Sequence, residues 1–233
     1  MSAHTQRALE QLKERILSLG GLVEESLREA VYSLQQRDEI LAAKVISDDT
    51  EIDDLEVDIE EECLKFLALY QPVAADLRFI VATLKINNDL ERIGDLAVNI
   101  AERAAFLANH RQPKAVFDFQ SMASKSQRML QLSLDALVKG DVAQAFNVCV
   151  ADEEVDEMNR EMYIQVQNAI LKYPEDLECL IHLLSISRHL ERAADLASNI
   201  AEEVIYMVEG KIIRHKSEEY VSSRLHDFGG STN

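Results

Sequence analysis

The segment Asp89 to Glu102, DLERIGDLAVNIAE, returns 100 residues later as His189 to Glu202, HLERAADLASNIAE, with ten of fourteen positions identical. Likeness this dense at a fixed offset marks a repeated structural unit, so whatever fold the first copy adopts the second must adopt again. The likeness continues upstream. Glu51-Ile52-Asp53 aligns with Glu154-Val155-Asp156, and Tyr70-Gln71-Pro72 with Lys172-Tyr173-Pro174. The offset falls from 103 to 100 across that breaker, which predicts a loop about three residues longer in the first copy. The boundary is expected near His110 to Pro113. One unit then occupies 1–112, a second 113–215, and a polar tail at 216–233 is expected to fray.

What each unit is made of follows from its punctuation. Only 7 Gly and 3 Pro occur in 233 residues, and good helix formers dominate, so long uninterrupted helices are expected. Each unit reads as three: 4–36, 38–70 and 73–109, then 114–139, 141–172 and 174–213. Asp38 and Asp141 stand at matching places as N-cap residues. Pro72 and Pro174 suit a first helical turn, where a missing N–H costs nothing. Gly20-Gly21 marks either a bend in the first helix or a close contact with a neighbour. The fold class is therefore all-α: two pseudo-symmetric three-helix bundles, six long helices in all.

A formal net charge of −18 repels phosphate backbones and anionic bilayers, and leaves cations or basic protein patches as natural partners. Cys63, Cys149 and Cys179 are odd in number and form no CxxC pair, as expected in a reducing cytoplasm. No apolar signal core opens the chain, and no stretch approaches the ~18 apolar residues of a membrane span. Any work at a membrane is expected to run through other proteins.

The third helix of each unit carries the chemistry. At 100° per residue, Leu90, Ile93, Ala97, Ile100 and Ala104 form one stripe, which predicts the bundle core. The opposite face starts apolar, with Leu77, Ile80, Val81 and Leu84, and ends acidic, with Glu91, Asp95 and Glu102. The second copy repeats this with Leu177, Leu180, Ile181 and Leu184, then Glu191, Asp195 and Glu202. The apolar ends are expected to pack the units together or to form a partner or dimer surface. Glu91-x-x-x-Asp95 and Glu191-x-x-x-Asp195 place like charges one turn apart, which destabilises a helix by ~0.2–0.5 kcal/mol. The second helices add Asp49-x-x-x-Asp53 and Asp152-x-x-x-Asp156. Side by side, two helices bring four carboxylates together in each unit, a donor set that suits hard cations.

A charged outer face of a bundle is ordinarily just solvated, and Glu-x-x-x-Asp alone is common. The ten acids between Asp48 and Glu62 are expected to be largely such a face. Arg92, Arg103, Arg188 and Arg192 offer local counter-charge, and neither His182 nor His189 is counted as a ligand. No phosphate loop, GxGxxG, HExxH or G-x-S-x-G occurs. The Glu-x-x-His of a di-iron bundle is also missing, so an enzyme is not expected.

The duplicated Leu-Glu-Arg-x-x-Asp segments at Leu90 to Asp95 and Leu190 to Asp195 resemble those of the PhoU family of bacterial phosphate-signalling regulators. So do Leu19-Gly20-Gly21-Leu22-Val23-Glu24 and the turn Gln71 to Arg78, and the likeness runs in order from about residue 8 to 212. The resemblance implies a negative regulator of the phosphate regulon and of phosphate uptake. Its implied partners are the nucleotide-binding subunit of a phosphate ABC transporter and a sensor histidine kinase. It also implies multinuclear metal clusters, iron first, with zinc, manganese or magnesium as alternatives. Their ligands would be Asp49, Asp53, Glu91, Asp95, Asp152, Asp156, Glu191 and Asp195. Asn159 and Tyr163 stand where the first copy has Glu56 and Glu60, which implies a smaller or weaker second cluster. A homodimer and a cytoplasmic location beside the inner membrane complete the expectation. The competing readings are a metal buffer or passive scaffold without a signalling role, and a metal-dependent enzyme.

Overall fold

The computed structural model describes residues 3–115 and 117–213. Among them are six long helices and no strand: α1 (Ala3–Gln36), α2 (Glu39–Tyr70), α3 (Ala74–Ala108), α4 (Phe119–Lys139), α5 (Val142–Lys172) and α6 (Leu177–Glu209). The tail expected at 216–233 lies outside the described residues.

Local chemistry sets the helix ends. The Asp38 and Asp141 carboxylates accept from the backbone N–H of Leu41 and Gln144, each at 3.0 Å, so both second helices start from the same cap. The Arg37 guanidinium donates to the carbonyls of Leu107, Ala108 and His110, which satisfies the last turn of α3 with a positive group at its negative end. Gly210, at φ +71°, ends α6 four residues earlier than expected, its N–H donating to Tyr206 O at 2.9 Å.

Two other expectations change. α4 begins at Phe119 rather than 114, because Asp118 is the residue that caps it, accepting from Ser121 N at 3.0 Å. Pro72 precedes α3 by two residues and lies outside its first turn, whereas Pro174 opens a single 3-10 turn, Pro174–Asp176. The longer connection of the first unit is found: Ala74 to Asp76 match the 3-10 turn Pro174–Asp176 at the offset of 100, and the three additional residues are Gln71, Pro72 and Val73 between α2 and α3.

α3 and α6 lie against each other at the centre, α1 packs on α3 and α4, and α2 and α5 form the outer flanks. The central pair is antiparallel, since Arg78 reaches Met207, Lys85 reaches Glu203 and Phe106 stacks on His182. The predicted α3 stripe is the core: Leu90, Ile93, Ala97 and Ile100 are fully buried, as are Leu190, Ala197 and Ile200 in α6. Each large side chain so buried stabilises the fold by roughly 1.5–3 kcal/mol. α1 passes through Gly20-Gly21 without interruption. Gly20 is there for proximity: a Cβ on it would sit 2.7 Å from a methyl of Leu134 in α4.

The apolar patches do not join the units. Ile80 and Leu180 are core residues, while Leu77, Leu177 and Ile181 are 40%, 44% and 51% exposed. With that much exposure they are surface, not seam.

Candidate metal centre

α2 and α3 face each other in antiparallel register, and α5 and α6 repeat the arrangement. One rung pairs Glu56 with Asn87, whose Nδ2 donates to the Glu56 carbonyl and carboxylate at 2.9 Å each. Its counterpart pairs Asn159 with Ser187, whose hydroxyl donates to Asn159 Oδ1 at 2.7 Å. One turn along from these rungs lie the carboxylates. Asp49, Asp53, Glu91 and Asp95 meet in the α2–α3 groove, close enough for their charges to act on one another. Asp152, Asp156, Glu191 and Asp195 meet in the α5–α6 groove. All eight expected residues are thus gathered, four to a unit.

The grooves differ in tightness. In the second, one carboxylate oxygen each from Asp156, Glu191 and Asp195 lie within 4.8 Å of one another, and all three residues are half-buried. In the first, Asp53 and Asp95 are exposed. The second unit has fewer carboxylates around its groove, yet they stand closer together.

These acids are held against their preference. Burial, then Asp53 and Asp95, push the Asp49 carboxyl up to about 6. Burial, then Asp195, Asp156 and Glu191, push Asp152 up to about 7. Glu56, Glu91, Glu191 and Asp195 are raised by the same causes, burial first. Half-buried carboxylates crowded like this favour a proton or a cation.

One atom bears directly on which. Asp152 Oδ1 is shielded from solvent and accepts no hydrogen bond. A buried acceptor left without a donor costs ~1–3 kcal/mol, and its lone pair is open to a metal ion. An all-carboxylate donor set fits iron, manganese, magnesium or zinc, and the eight residues named are the ones that would hold them.

Counter-charge covers part of this need. Arg92 turns to Asp89 at 3.6 Å, and Arg103 donates to Asn99 O at 2.9 Å, away from the cluster. Arg188 and Arg192 partly relieve Glu191. Arg160 comes within 3.9 Å of Asp156 but is closer to Glu153 and Glu157, at 2.7 and 3.1 Å. Neither histidine joins. His182 stacks on Phe106 at 3.9 Å, and burial, then Arg103 and Arg192, hold the His189 ring neutral with its pKa pushed down to about 4.

Glu56 is a neighbour of the first cluster that the paired motifs did not include. Its signal was the continued helical spacing Asp49, Asp53, Glu56. Gly94 also contributes, since a Cβ there would stand 3.4 Å from Asp49 Oδ1, so glycine lets that side chain lie against α3.

Two further features narrow the class. None of the described helices is long and apolar enough to cross a membrane. The family model described as the PhoU domain matches residues 16–104 and 119–204, once in each unit. The chain is 39% identical over 210 residues to the Aquifex aeolicus phosphate-specific transport system accessory protein PhoU homolog, covering 90% of this chain and 95% of that one. The crystal structure of PhoU from Pseudomonas aeruginosa matches with a TM-score of 0.87 at 35% identity, covering 88% of this chain and 99% of that one. The phosphate transport system regulatory protein PhoU from Streptococcus pneumoniae matches with a TM-score of 0.80 at 29% identity, covering 89% and 98%. Duplicated trio, helix register and sequence agree, and the chain belongs to the PhoU family.

Proposed function

We propose that this chain is a negative regulator of the phosphate regulon and of phosphate uptake. It acts as an adaptor between the nucleotide-binding subunit of a phosphate ABC transporter and a sensor histidine kinase. The observation that carries the reading is the match, over 90% and 89% of the chain, to relatives named for phosphate transport accessory and regulatory roles. The surface is consistent with it: Leu77, Leu177 and Ile181 stand exposed on the two helices that also carry acidic clusters, an arrangement suited to docking rather than turnover. The protein is not an enzyme in this reading. It works as a homodimer in the cytoplasm, held at the inner membrane by its partners.

Metal, iron first, sits on the two carboxylate clusters. There it neutralises charge and fixes the spacing of α2 against α3 and of α5 against α6. The chain's own residues do the positioning: Asn87 and Ser187 hold the rungs next to the clusters, and Gly94 admits Asp49.

Deletion of the gene tests the regulatory role. Reporters of phosphate starvation should switch on in phosphate-rich medium, and the tagged protein should bring the transporter subunit and the kinase out of native membranes. Normal phosphate control in the deletion strain would refute it.

A further inference from the structure

α1 packs on α3, α4 packs on α6, and α1 and α4 touch each other, so both lie on one side of the central pair. The α3 and α6 stripes opposite them open on the other side and form one shared face. Because the two helices are antiparallel, Leu84 and Leu184 stand towards opposite ends of that face, on a diagonal.

In the second unit this face holds a cleft of about 410 Å³ between Arg160 and Tyr163 of α5 and Ile181, Leu184 and Arg188 of α6. Tyr163 and Ile181 are each more than half exposed, so its apolar floor is open to water. Among the described residues, no acid lines it. At the same places the first unit has Val57, Glu60, Val81, Leu84 and Asn88, with Glu56 where the second has Asn159. Val57 and Glu60 are exposed. Both units thus keep an apolar centre, but arginine flanks one and glutamate the other. Arg160 is paired only with Glu153, Asp156 and Glu157 of its own helix. Exposed pairs of this kind hold a side chain weakly, so the guanidinium is free to turn to a carboxylate brought to the cleft.

We propose that the occupant of this cleft is a second copy of the chain, which lays its Glu56–Glu60 surface on Arg160 and Arg188. This names the face of the homodimer above and rests on that reading. Two chains of net charge −18 repel one another over most of their surfaces, so an approach needs a place where the charges are locally opposite. Arginine and tyrosine around an apolar centre are also the residues that interfaces favour. The diagonal placement closes the assembly. A twofold axis lying in the face, perpendicular to the line between the clefts, sets each glutamate cleft on the other copy's arginine cleft. Both contacts then form at once and no cleft is left open to extend a filament. The carboxylate clusters lie on the same face, so divalent cations must neutralise them before two such faces meet.

Sedimentation equilibrium of the full chain, in excess magnesium, is the test. The unmutated chain should be a dimer at micromolar concentration. Arg160→Glu/Arg188→Glu should raise its dissociation constant by roughly tenfold or more, and so should Glu56→Gln/Glu60→Arg, since like charges then meet at both contacts. An equimolar mixture of these two variants should dimerise as the parent does, because every contact between unlike partners is again one of opposite charges. That recovery also shows that neither variant has failed to fold. Ile181→Asp should be monomeric, whereas Tyr32→Ser, on α1 behind the face, should remain a dimer. A monomeric parent overturns this interface and the homodimer together. A parent dimer that ignores the substitutions lies on another face and overturns this interface alone. Variants that separate but do not recover on mixing overturn the pairing of cleft with cleft. Variants that stay dimeric yet lose the transporter subunit or the kinase from pull-downs give the cleft to those partners, which overturns the assignment as well.

Discussion

Lys85 of α3 donates to both carboxylate oxygens of Glu203 in α6, at 3.0 and 3.1 Å, across the seam between the two units. Glu203 is 5% exposed, so the pair holds a charge that the fold has removed from water. The pseudo-symmetric positions, Arg103 and Ser185, do not repeat it, because Arg103 turns to Asn99 and Glu102. Charge-assisted hydrogen bonds of this kind contribute ~1.5–3 kcal/mol. Lys85→Met, which keeps the aliphatic stem, should lower the urea unfolding free energy by that amount. A change below ~0.5 kcal/mol, the scatter expected of ordinary surface substitutions, would mean the pair does not tie the units together.

Gly20 and Gly21 are adjacent in α1 and should respond in opposite directions. Nothing lies within 4 Å of a Cβ built on Gly21, so Gly21→Ala should stabilise by about 0.5–1 kcal/mol through helix propensity. Gly20→Val drives branched carbons into Leu134 and should destabilise by about 1–3 kcal/mol. Leu134→Ala in the same chain should recover part of that loss. Thermal unfolding of the three variants checks the pattern, and equal effects at the two glycines would contradict the close approach of α1 to α4.

Stability should depend on pH through the grooves. The Asp49 and Asp152 carboxyls titrate near 6 and 7 in the folded chain, above the ~3.9 of an unfolded aspartate. The folded state therefore binds more protons in between. Its advantage is complete below about pH 4 and lost as pH rises to about 7. Asp152→Asn should flatten that fall in melting temperature, measured in chelator. His189, held neutral with a pKa near 4, contributes a slope of opposite sign, and it cancels when the variant is compared with the parent. Identical pH profiles for the two proteins would show that Asp152 is not held protonated.

Metal content should follow the clusters. Replacing Glu91, Asp95, Glu191 and Asp195 with Ala should abolish metal retention through purification, read by elemental analysis. The metal-free variant should keep or exceed the stability of the metal-free parent, since like-charge repulsion has been removed. Parent-level metal in the variant would remove metal from the proposed mechanism.

The helices were legible because their causes are local. Periodicity in Leu90, Ile93, Ala97 and Ile100, and the caps at Asp38 and Asp141, need only neighbouring residues, and the structure bears them out. The duplication was legible because Asp89 to Glu102 and His189 to Glu202 differ at only four of fourteen positions. Pro72 and the start of α4 were misplaced because a breaker states that a helix stops nearby, while the cap that starts the next one, Asp118, reads much like any other acid in this chain.

The sequence by itself determined an all-helical, doubled chain and eight paired carboxylates, since composition, spacing and repetition are properties of the string. Only the tertiary structure decided that α3 packs on α6 and that Leu77 and Ile181 remain on the surface. The physical reason is register. A helix presents its residues every 100°, but which residue of another helix it meets depends on how two side-chain surfaces interlock in the core.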